Sequence, residues 1–111
     1  SHTVGQLVTL RQAKYFMQHS RWSMLALHDK MKDPRLAAFR EAGELLFTRA
    51  AVAVAIVQSS ELTEFNCDQA PCVIINSPEG RQHFPADNGY TKADIYAWAS
   101  SLLPPSPHDE L

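Results

Sequence analysis

The sequence predicts an α/β fold in which helices flank a central mixed β-sheet. Two observations lead to this prediction. Short apolar segments alternate with segments of helical periodicity in the first half of the chain, an order typical of parallel strands joined by helices. In the second half, the turn sequence S-P-E-G at residues 77–80 separates two further strand segments. The resulting hairpin adds an antiparallel edge to the sheet.

Apolar periodicity divides the chain into strand and helix segments. Strands are expected over residues 3–8, 22–28, 50–57, 72–76 and 81–84. Helices are expected over residues 10–19, 34–48, 59–65 and 91–103. The second strand is mostly apolar and the third contains only alanine, valine and isoleucine, which predicts that both faces of each strand are buried.

Capping residues mark the predicted helix starts. Thr9 and Gln12 have the spacing of a capping box. Asp33 followed by Pro34 combines an N-cap acceptor with proline at the first helical position. The remaining two helices are expected to be capped at Ser59, Ser60 and Thr91.

Composition predicts one globular domain and excludes several classes of protein. The 111 residues are 45% hydrophobic and 20% charged, which suits a single core. The formal net charge of -2 argues against a nucleic-acid-binding protein. The longest apolar run, residues 50–57, is far shorter than the roughly 20 residues of a membrane span. We therefore expect a domain over residues 1–103 with no nucleic-acid partner and no membrane span.

The C-terminal residues 104–111 are predicted to form a flexible tail, because they are rich in proline and polar residues. They end in His108, Asp109, Glu110 and Leu111, the HDEL sequence that a receptor reads as a signal for retention in the endoplasmic reticulum. We therefore expect the retention receptor as a partner and the oxidising lumen as the location. Because the chain begins with Ser1, we also expect that a preceding segment has been removed.

The order of elements and several fixed points resemble the thioredoxin-like domains of the protein disulfide isomerase superfamily. In these domains a W-C-x-x-C segment joins the second strand to the long helix, and the matching stretch is M-K-D-P-R at residues 31–35. An aromatic residue, a short loop and a cis-proline precede the next strand, a spacing that Phe65 and Pro71 reproduce. The resemblance covers nearly the whole chain and implies a cis peptide bond before Pro71.

The dithiol chemistry of active relatives does not carry over with this resemblance. Lys32 and Arg35 stand where the two cysteines would be, and neither supplies a thiolate or a resolving thiol. The buried carboxylate that assists proton transfer in active relatives is matched by Ala26. The resemblance therefore implies a redox-inactive domain with no catalytic residue and no cofactor, although its parent chain could be an enzyme.

The surface around the missing active site is predicted to bind polypeptide. In thioredoxin-like proteins the residue before the cis-proline offers its backbone N–H and C=O to an extended peptide, and Ala70 has that position here. The expected binding surface combines the helix start with the proline loop: Met31, Lys32, Asp33, Arg35, Ala70 and Pro71. The alternative is that Pro71 only shapes the fold.

Two cysteines flank the predicted cis-proline loop and leave three alternatives open. Cys67 and Cys72 form a disulfide that braces the loop, remain as inert free thiols, or leave Cys72 available for monothiol exchange. No metal site is expected, because His28, Asp29 and the cysteines lack the paired C-x₂-C or H-x₃-H spacing of zinc sites.

The expected function is therefore binding without catalysis. The ligand would be unfolded polypeptide or a protein of the folding machinery in the endoplasmic reticulum. An alternative is a C-terminal scaffolding module of a larger luminal enzyme, either a multi-domain disulfide isomerase-like protein or a folding-sensor glycosyltransferase.

Overall fold

A computed structural model of the chain describes residues 4–7 and 9–106. The strands in this part are β1 (Gly5–Leu7), β2 (Ser23–His28), β3 (Ala51–Ile56), β4 (Cys72–Ser77) and β5 (Gly80–His83). The α-helices are α1 (Leu10–Gln18), α2 (Arg35–Leu46) and α3 (Lys92–Leu102), and a 3₁₀ helix covers Ser59–Phe65. The ends of most elements differ from the sequence prediction by one or two residues, as expected for frayed termini.

The five strands form one mixed sheet in the order β1-β3-β2-β4-β5. β3 pairs in parallel with both β1 and β2, whereas β4 pairs antiparallel with β2 and with β5. This arrangement confirms the predicted parallel start and antiparallel hairpin edge. The central strand β2 is buried at every position, which confirms the prediction made from its apolar sequence.

Two of the predicted helix caps are confirmed and a third is different. The hydroxyl of Thr9 accepts from the backbone N–H of Gln12, whose side chain in turn accepts from the N–H of Thr9. At α3, the Thr91 hydroxyl accepts from the N–H of Asp94. The 3₁₀ helix, in contrast, is capped by Gln58 through a reciprocal pair with Glu61, so the prediction of a serine cap was wrong. The Glu61 carboxylate accepts from the backbone N–H of Gln58 at 2.8 Å, and the backbone carbonyl of Gln58 accepts from the N–H of Glu61 at 2.8 Å.

Helices cover both faces of the sheet and enclose two hydrophobic clusters. The cluster under α2 and α3 contains Phe39, Leu46, Val54, Ile75 and Ile95. The opposite cluster, under α1 and the 3₁₀ helix, contains Met17, Leu25, Leu27, Phe65 and Ile74. Alternate side chains of β2 enter opposite clusters, so this strand packs against both helical layers. Its C-terminal end is therefore held in place from both faces of the sheet.

Contacts from Arg49, in the segment between α2 and β3, to the C-terminal segment extend past the predicted domain boundary at residue 103. The Arg49 guanidinium donates to the backbone carbonyls of Ser100, Leu103 and Pro104, and Ser106 is buried. Residues 107–111, which include the predicted retention sequence, lie outside the described residues, so the flexible tail remains a prediction. Among residues 4–7 and 9–106, none of the helices has the length and apolarity required to cross a bilayer.

Candidate functional site

The start of α2 follows β2 after the connecting residues 29–34, and the resemblance matches this region to the cysteine pair of thioredoxin-like domains. The assigned N-cap residue is Pro34, one position after the predicted cap at Asp33. Asp33 still satisfies the first turn, because its side chain accepts from the backbone N–H of Arg35 at 3.0 Å and its carbonyl accepts from the N–H of Leu36 at 2.9 Å. The difference is a shift of one residue in the helix boundary, and Asp33 acts as predicted.

Asp33 and Arg35 form a two-pronged ion pair at this helix start. Arg35 Nε lies 3.0 Å from Asp33 Oδ1, and Arg35 Nη2 lies 3.0 Å from Asp33 Oδ2. The hydrogen bonds from Arg35 lower the pKa of Asp33 from 3.8 to about 2. The Asp33 side chain is 7% exposed and that of Arg35 is 52% exposed, so Arg35 is the member of the pair that faces solvent.

His28, the last residue of β2, is completely buried behind this ion pair. Its Nδ1 lies 3.3 Å from Asp33 Oδ2 and its Nε2 lies 3.0 Å from the Tyr90 hydroxyl. Burial lowers the pKa of His28, although Asp33 opposes this effect. A neutral ring that donates from Nδ1 to Asp33 and accepts from the Tyr90 hydroxyl at Nε2 satisfies all three groups. His28 is therefore a structural side chain whose two ring nitrogens both have partners.

The loop opposite the helix start contains the predicted cis-proline. The Ala70–Pro71 peptide bond is cis, which confirms that prediction. Within the part of the chain that the structure describes, neither the N–H nor the C=O of Ala70 has a hydrogen-bond partner. Ala70 and Pro71 are both partly exposed, so these backbone groups lie near solvent.

A groove of about 590 Å³ runs beside this loop, and we call it the Ala70 groove. Its lining contains residues 66–72, which we call the first wall, residues 83–86, 88 and 90, which we call the second wall, and Arg35. Of the six predicted binding residues, Arg35, Ala70 and Pro71 line the groove. Met31, with 62% of its surface exposed, and Lys32 are on the solvent side of the helix start, and Asp33 is occupied by its ion pair.

The second wall of the groove contains residues that the sequence analysis did not single out. Tyr90 and Phe84 belong to this wall, and their rings meet edge to face with centroids 6.2 Å apart. Burial raises the pKa of Tyr90, so its hydroxyl stays protonated and donates to His28. No local pattern marks Tyr90 as a site residue, because its partner is 62 positions away in the chain.

Cys67 and Cys72 are joined by a disulfide in the first wall of the groove, with their Cα atoms 6.2 Å apart. Of the three alternatives for these residues, the structure contains the disulfide that braces the cis-proline loop. No free cysteine is present among the described residues, so monothiol exchange at Cys72 would require prior reduction. The absence of cysteines at the start of α2 therefore does not exclude thiol chemistry elsewhere in this domain.

His83 lies next to the disulfide. One potential ligand atom from each of Cys67, Cys72 and His83 lies within 4.8 Å of the other two. The sequence predicts no metal site, and only His28 and Asp29 were possible ligands beside the cysteines in that prediction. It missed His83 because this residue belongs to the next strand and is brought close by the pairing of β4 with β5.

Comparisons with known proteins match the chain to solved structures only. No family model matches the sequence, and no curated protein matches it either. Human ERp44 in its zinc-bound form superimposes with a TM-score of 0.72 at 12% identity, covering 95% of this chain and 28% of that one. The bb fragment of ERp72 gives 0.73 at 12% identity, with 95% and 49% covered. The J-Trx1 fragment of ERdj5 gives 0.69 at 11% identity, with 89% and 51% covered.

These matches establish the thioredoxin-like fold that the sequence predicted. The structural neighbours are thioredoxin-like domains of the protein disulfide isomerase family. Sequence identity of 11–12% is low enough that the likeness concerns the fold alone. The chain spans between 28% and 51% of the lengths of these neighbours.

Proposed function

We propose that this thioredoxin-like domain binds unfolded polypeptide, or an extended segment of a partner protein, in the Ala70 groove without dithiol exchange at the start of α2. The observation that carries the proposal is the pair of unpartnered backbone groups of Ala70 on the wall of the groove. A donor and an acceptor of the same residue, both without a partner among the described residues, suit an extended chain that is added like a strand.

The remaining groove surface suits a ligand of variable sequence. Main-chain hydrogen bonds give affinity that depends little on the side chains of the ligand. Small and cyclic side chains, including Pro71, Pro85 and Ala86, leave room for the ligand backbone to approach Ala70. Arg35 adds one exposed cation to the groove lining, and its ion pair with Asp33 compensates most of its charge. The groove therefore favours apolar and uncharged extended segments over strongly charged ones.

Absence of dithiol exchange follows from the groups at the helix start. Lys32 and Arg35 occupy the positions of the cysteine pair in the resemblance, and Arg35 is bound to Asp33. Neither residue forms a mixed disulfide with a substrate. The Cys67–Cys72 disulfide lies in the wall of the groove, where it supports the loop that carries Ala70.

The endoplasmic reticulum lumen is the proposed location. Residues 108–111 have the sequence of an HDEL retention signal, and a disulfide such as Cys67–Cys72 persists in an oxidising compartment. The fold likeness to ERp44, ERp72 and ERdj5 supports the same proposal.

A second candidate function is that of a scaffolding module in a larger luminal protein. It is favoured by the observation that the matched neighbours are two to nearly four times as long as the region they share with this chain. Such a module would position other domains and would have little affinity for unfolded clients by itself.

Binding of a permanently unfolded protein tests the main proposal. A reduced and carboxymethylated model protein with a fluorescent label is titrated with the domain, and fluorescence anisotropy gives the Kd. We expect Ala70→Arg to weaken binding at least about 10-fold, equivalent to about 1.4 kcal/mol, because the long cation fills the groove. Ala97→Arg, on the exposed side of α3, is the matched control and should bind like the wild type.

Met31→Glu measures how far the binding surface extends beyond the groove. Its control is Leu45→Glu, because the two residues have similar exposure, 62% and 55%. Equal affinities of wild type and Ala70→Arg would contradict the proposal, and absence of any client binding would favour the scaffolding module. Reduction of insulin disulfides should not exceed the background rate, and turnover above background would contradict the non-catalytic part of the proposal.

A further inference from the structure

We propose that reduction of the Cys67–Cys72 disulfide converts this wall of the groove into a zinc site formed by Cys67, Cys72 and His83. Potential ligand atoms of these residues already lie within 4.8 Å of one another. In a tetrahedral zinc site with two thiolates and one imidazole, the ligand atoms are about 3.5–3.8 Å apart. Reduction frees the two sulfur atoms to move to such distances by rotation of the cysteine side chains.

The backbone holds the three residues together by contacts other than the disulfide. Cys72 is the first residue of β4 and is paired with Leu27 of β2. His83 is paired with Ile74, two positions after Cys72, so His83 and Cys72 are diagonal neighbours on one face of the hairpin. The N–H of Cys67 donates to the carbonyl of Leu62 at 3.1 Å. These contacts remain available when the sulfur–sulfur bond is broken.

His83 has the outer hydrogen bond that zinc-binding histidines commonly make. Its Nε2 lies 2.9 Å from the backbone carbonyl oxygen of Phe65. Because a carbonyl oxygen only accepts, Nε2 donates, and a neutral ring then retains the lone pair of Nδ1. A hydrogen bond of this kind orients the ring and increases its basicity as a ligand. In the oxidised chain this hydrogen bond is already formed, although His83 binds no metal there.

The donor set and its surroundings favour zinc. Thiolate and imidazole ligands select zinc over magnesium or calcium, and the C-x₄-C spacing of the cysteines is within the range found in zinc sites. All three residues line the Ala70 groove, which provides a path for the ion. Three protein ligands leave the fourth position open to water or to a group from a bound ligand.

The conversion balances with a dithiol as the named reductant. Thiol–disulfide exchange breaks the Cys67–Cys72 bond, transfers two electrons to the protein, and releases the reductant as its own disulfide. The two new thiols each lose a proton when Zn²⁺ binds, so that two thiolates neutralise the ion. The oxidised chain offers no thiolate, and the site therefore exists in the reduced state only. This inference does not depend on polypeptide binding.

Metal titration of the full chain tests the proposal in both redox states. The protein is reduced under anaerobic conditions, freed of reductant and titrated with Zn²⁺ in competition with a chromophoric chelator. A parallel titration with Co²⁺ is followed by thiolate-to-cobalt charge-transfer absorption. We expect one ion per reduced chain with charge-transfer bands, and no such binding by the oxidised chain.

Substitution of the histidine separates the proposed site from binding by two thiols alone. His83→Gln should weaken zinc binding at least about 100-fold, because loss of an outer-shell partner alone already costs 10- to 100-fold. His19→Gln is the matched control, since His19 also has one ring nitrogen bound to a backbone carbonyl. It should bind zinc like the wild type.

Circular dichroism of the reduced chain and of the Cys67→Ser/Cys72→Ser variant shows whether the fold persists without the disulfide. If the reduced chain unfolds and binds zinc through its thiols, His83→Gln will bind as tightly as the wild type, which overturns the proposal. Absence of zinc binding by the reduced wild type, or equal binding by the oxidised chain, also overturns it.

Discussion

The Tyr90 hydroxyl lies 3.0 Å from Nε2 of His28, although 62 positions separate the two residues in the chain. Their rings meet edge to face, with centroids 5.8 Å apart. Because Tyr90 belongs to the second wall of the Ala70 groove and His28 ends β2, this contact ties that wall to the centre of the sheet. Through Asp33, the same imidazole is connected to the start of α2.

Removing the hydroxyl of Tyr90 should destabilise the domain. In Tyr90→Phe, the buried Nε2 of His28 loses its only donor among the described residues. We expect a loss of about 1–3 kcal/mol in the free energy of unfolding, measured by urea denaturation. Tyr96→Phe, at a residue that is 38% exposed, is the control and should change stability by less than about 0.5 kcal/mol. Equal stability of the two variants would contradict this account.

Protonation of His28 should make the fold less stable in mild acid. Burial lowers its pKa below the ordinary value of 6.5 in the folded state, so the unfolded chain takes up the proton first as pH falls. The contribution of His28 is therefore fully present above pH 6.5 and is lost as pH falls through the folded-state pKa. Asp33, Asp29 and Arg35 are the charged groups that modify this pKa.

The free energy of unfolding, measured in steps between about pH 7.5 and pH 5, checks this prediction for His28. His28→Gln should flatten the dependence on pH, whereas His19→Gln, at an exposed position, should retain it. If the free energy of unfolding of His28→Gln changes with pH as steeply as that of the wild type, groups other than His28 cause the pH dependence.

Substitution of Asp33 should be more harmful than its position near the surface suggests. Asp33→Ala removes the acceptor for His28 and for the backbone N–H of Arg35, with an expected loss of about 1–3 kcal/mol at neutral pH. The low folded-state pKa, about 2 against 3.8, means that this carboxylate stabilises the fold above pH 3.8 and loses that effect as pH falls towards 2.

The difference between wild type and Asp33→Ala should consequently shrink below pH 3.8. Thermal denaturation at several pH values measures it. Asp87→Ala, at an exposed position, is the matched control and should follow the wild type throughout. A difference that does not change with pH would show that the ionised form of Asp33 has no special role.

Reduction of the Cys67–Cys72 disulfide should lower the free energy of unfolding by about 2 kcal/mol. The bond closes a short loop between residues five positions apart. Breaking it gives the unfolded chain more conformational entropy, which lowers the free energy of unfolding. Urea denaturation with and without reductant measures the effect. Cys67→Ser/Cys72→Ser should show the same loss and no response to reductant. Intact mass after alkylation confirms the redox state, and a wild type whose stability ignores reductant would contradict the prediction.

Local sequence signals were sufficient for the elements and for part of the site. Thr9 with Gln12 and Thr91 with Asp94 are three positions apart, and each pair forms the predicted cap. The prediction of a serine cap for the 3₁₀ helix was wrong, because the N-cap residue is Gln58, a less common capping residue. Such signals are readable because both partners lie within one helical turn.

The cis-proline loop was also predictable, since the spacing from Phe65 to Pro71 resembles that of thioredoxin-like domains and the cis bond is present. The redox state of the cysteines, in contrast, could not be predicted from the sequence. Their separation of five positions is compatible with paired or free thiols, and only the folded backbone brings the two Cα atoms to 6.2 Å.

The sequence by itself determined the helices, the strands, the mixed sheet and the loop at Pro71, because periodicity, caps and turn residues act over a few positions. The tertiary structure alone decided that Tyr90 meets His28 and that His83 meets the disulfide. Those contacts depend on strand register and on how loops return across the sheet edge, where a shift of one residue would turn His83 to the other face. No short stretch of sequence encodes such a register, since it is fixed by the packing of the whole core.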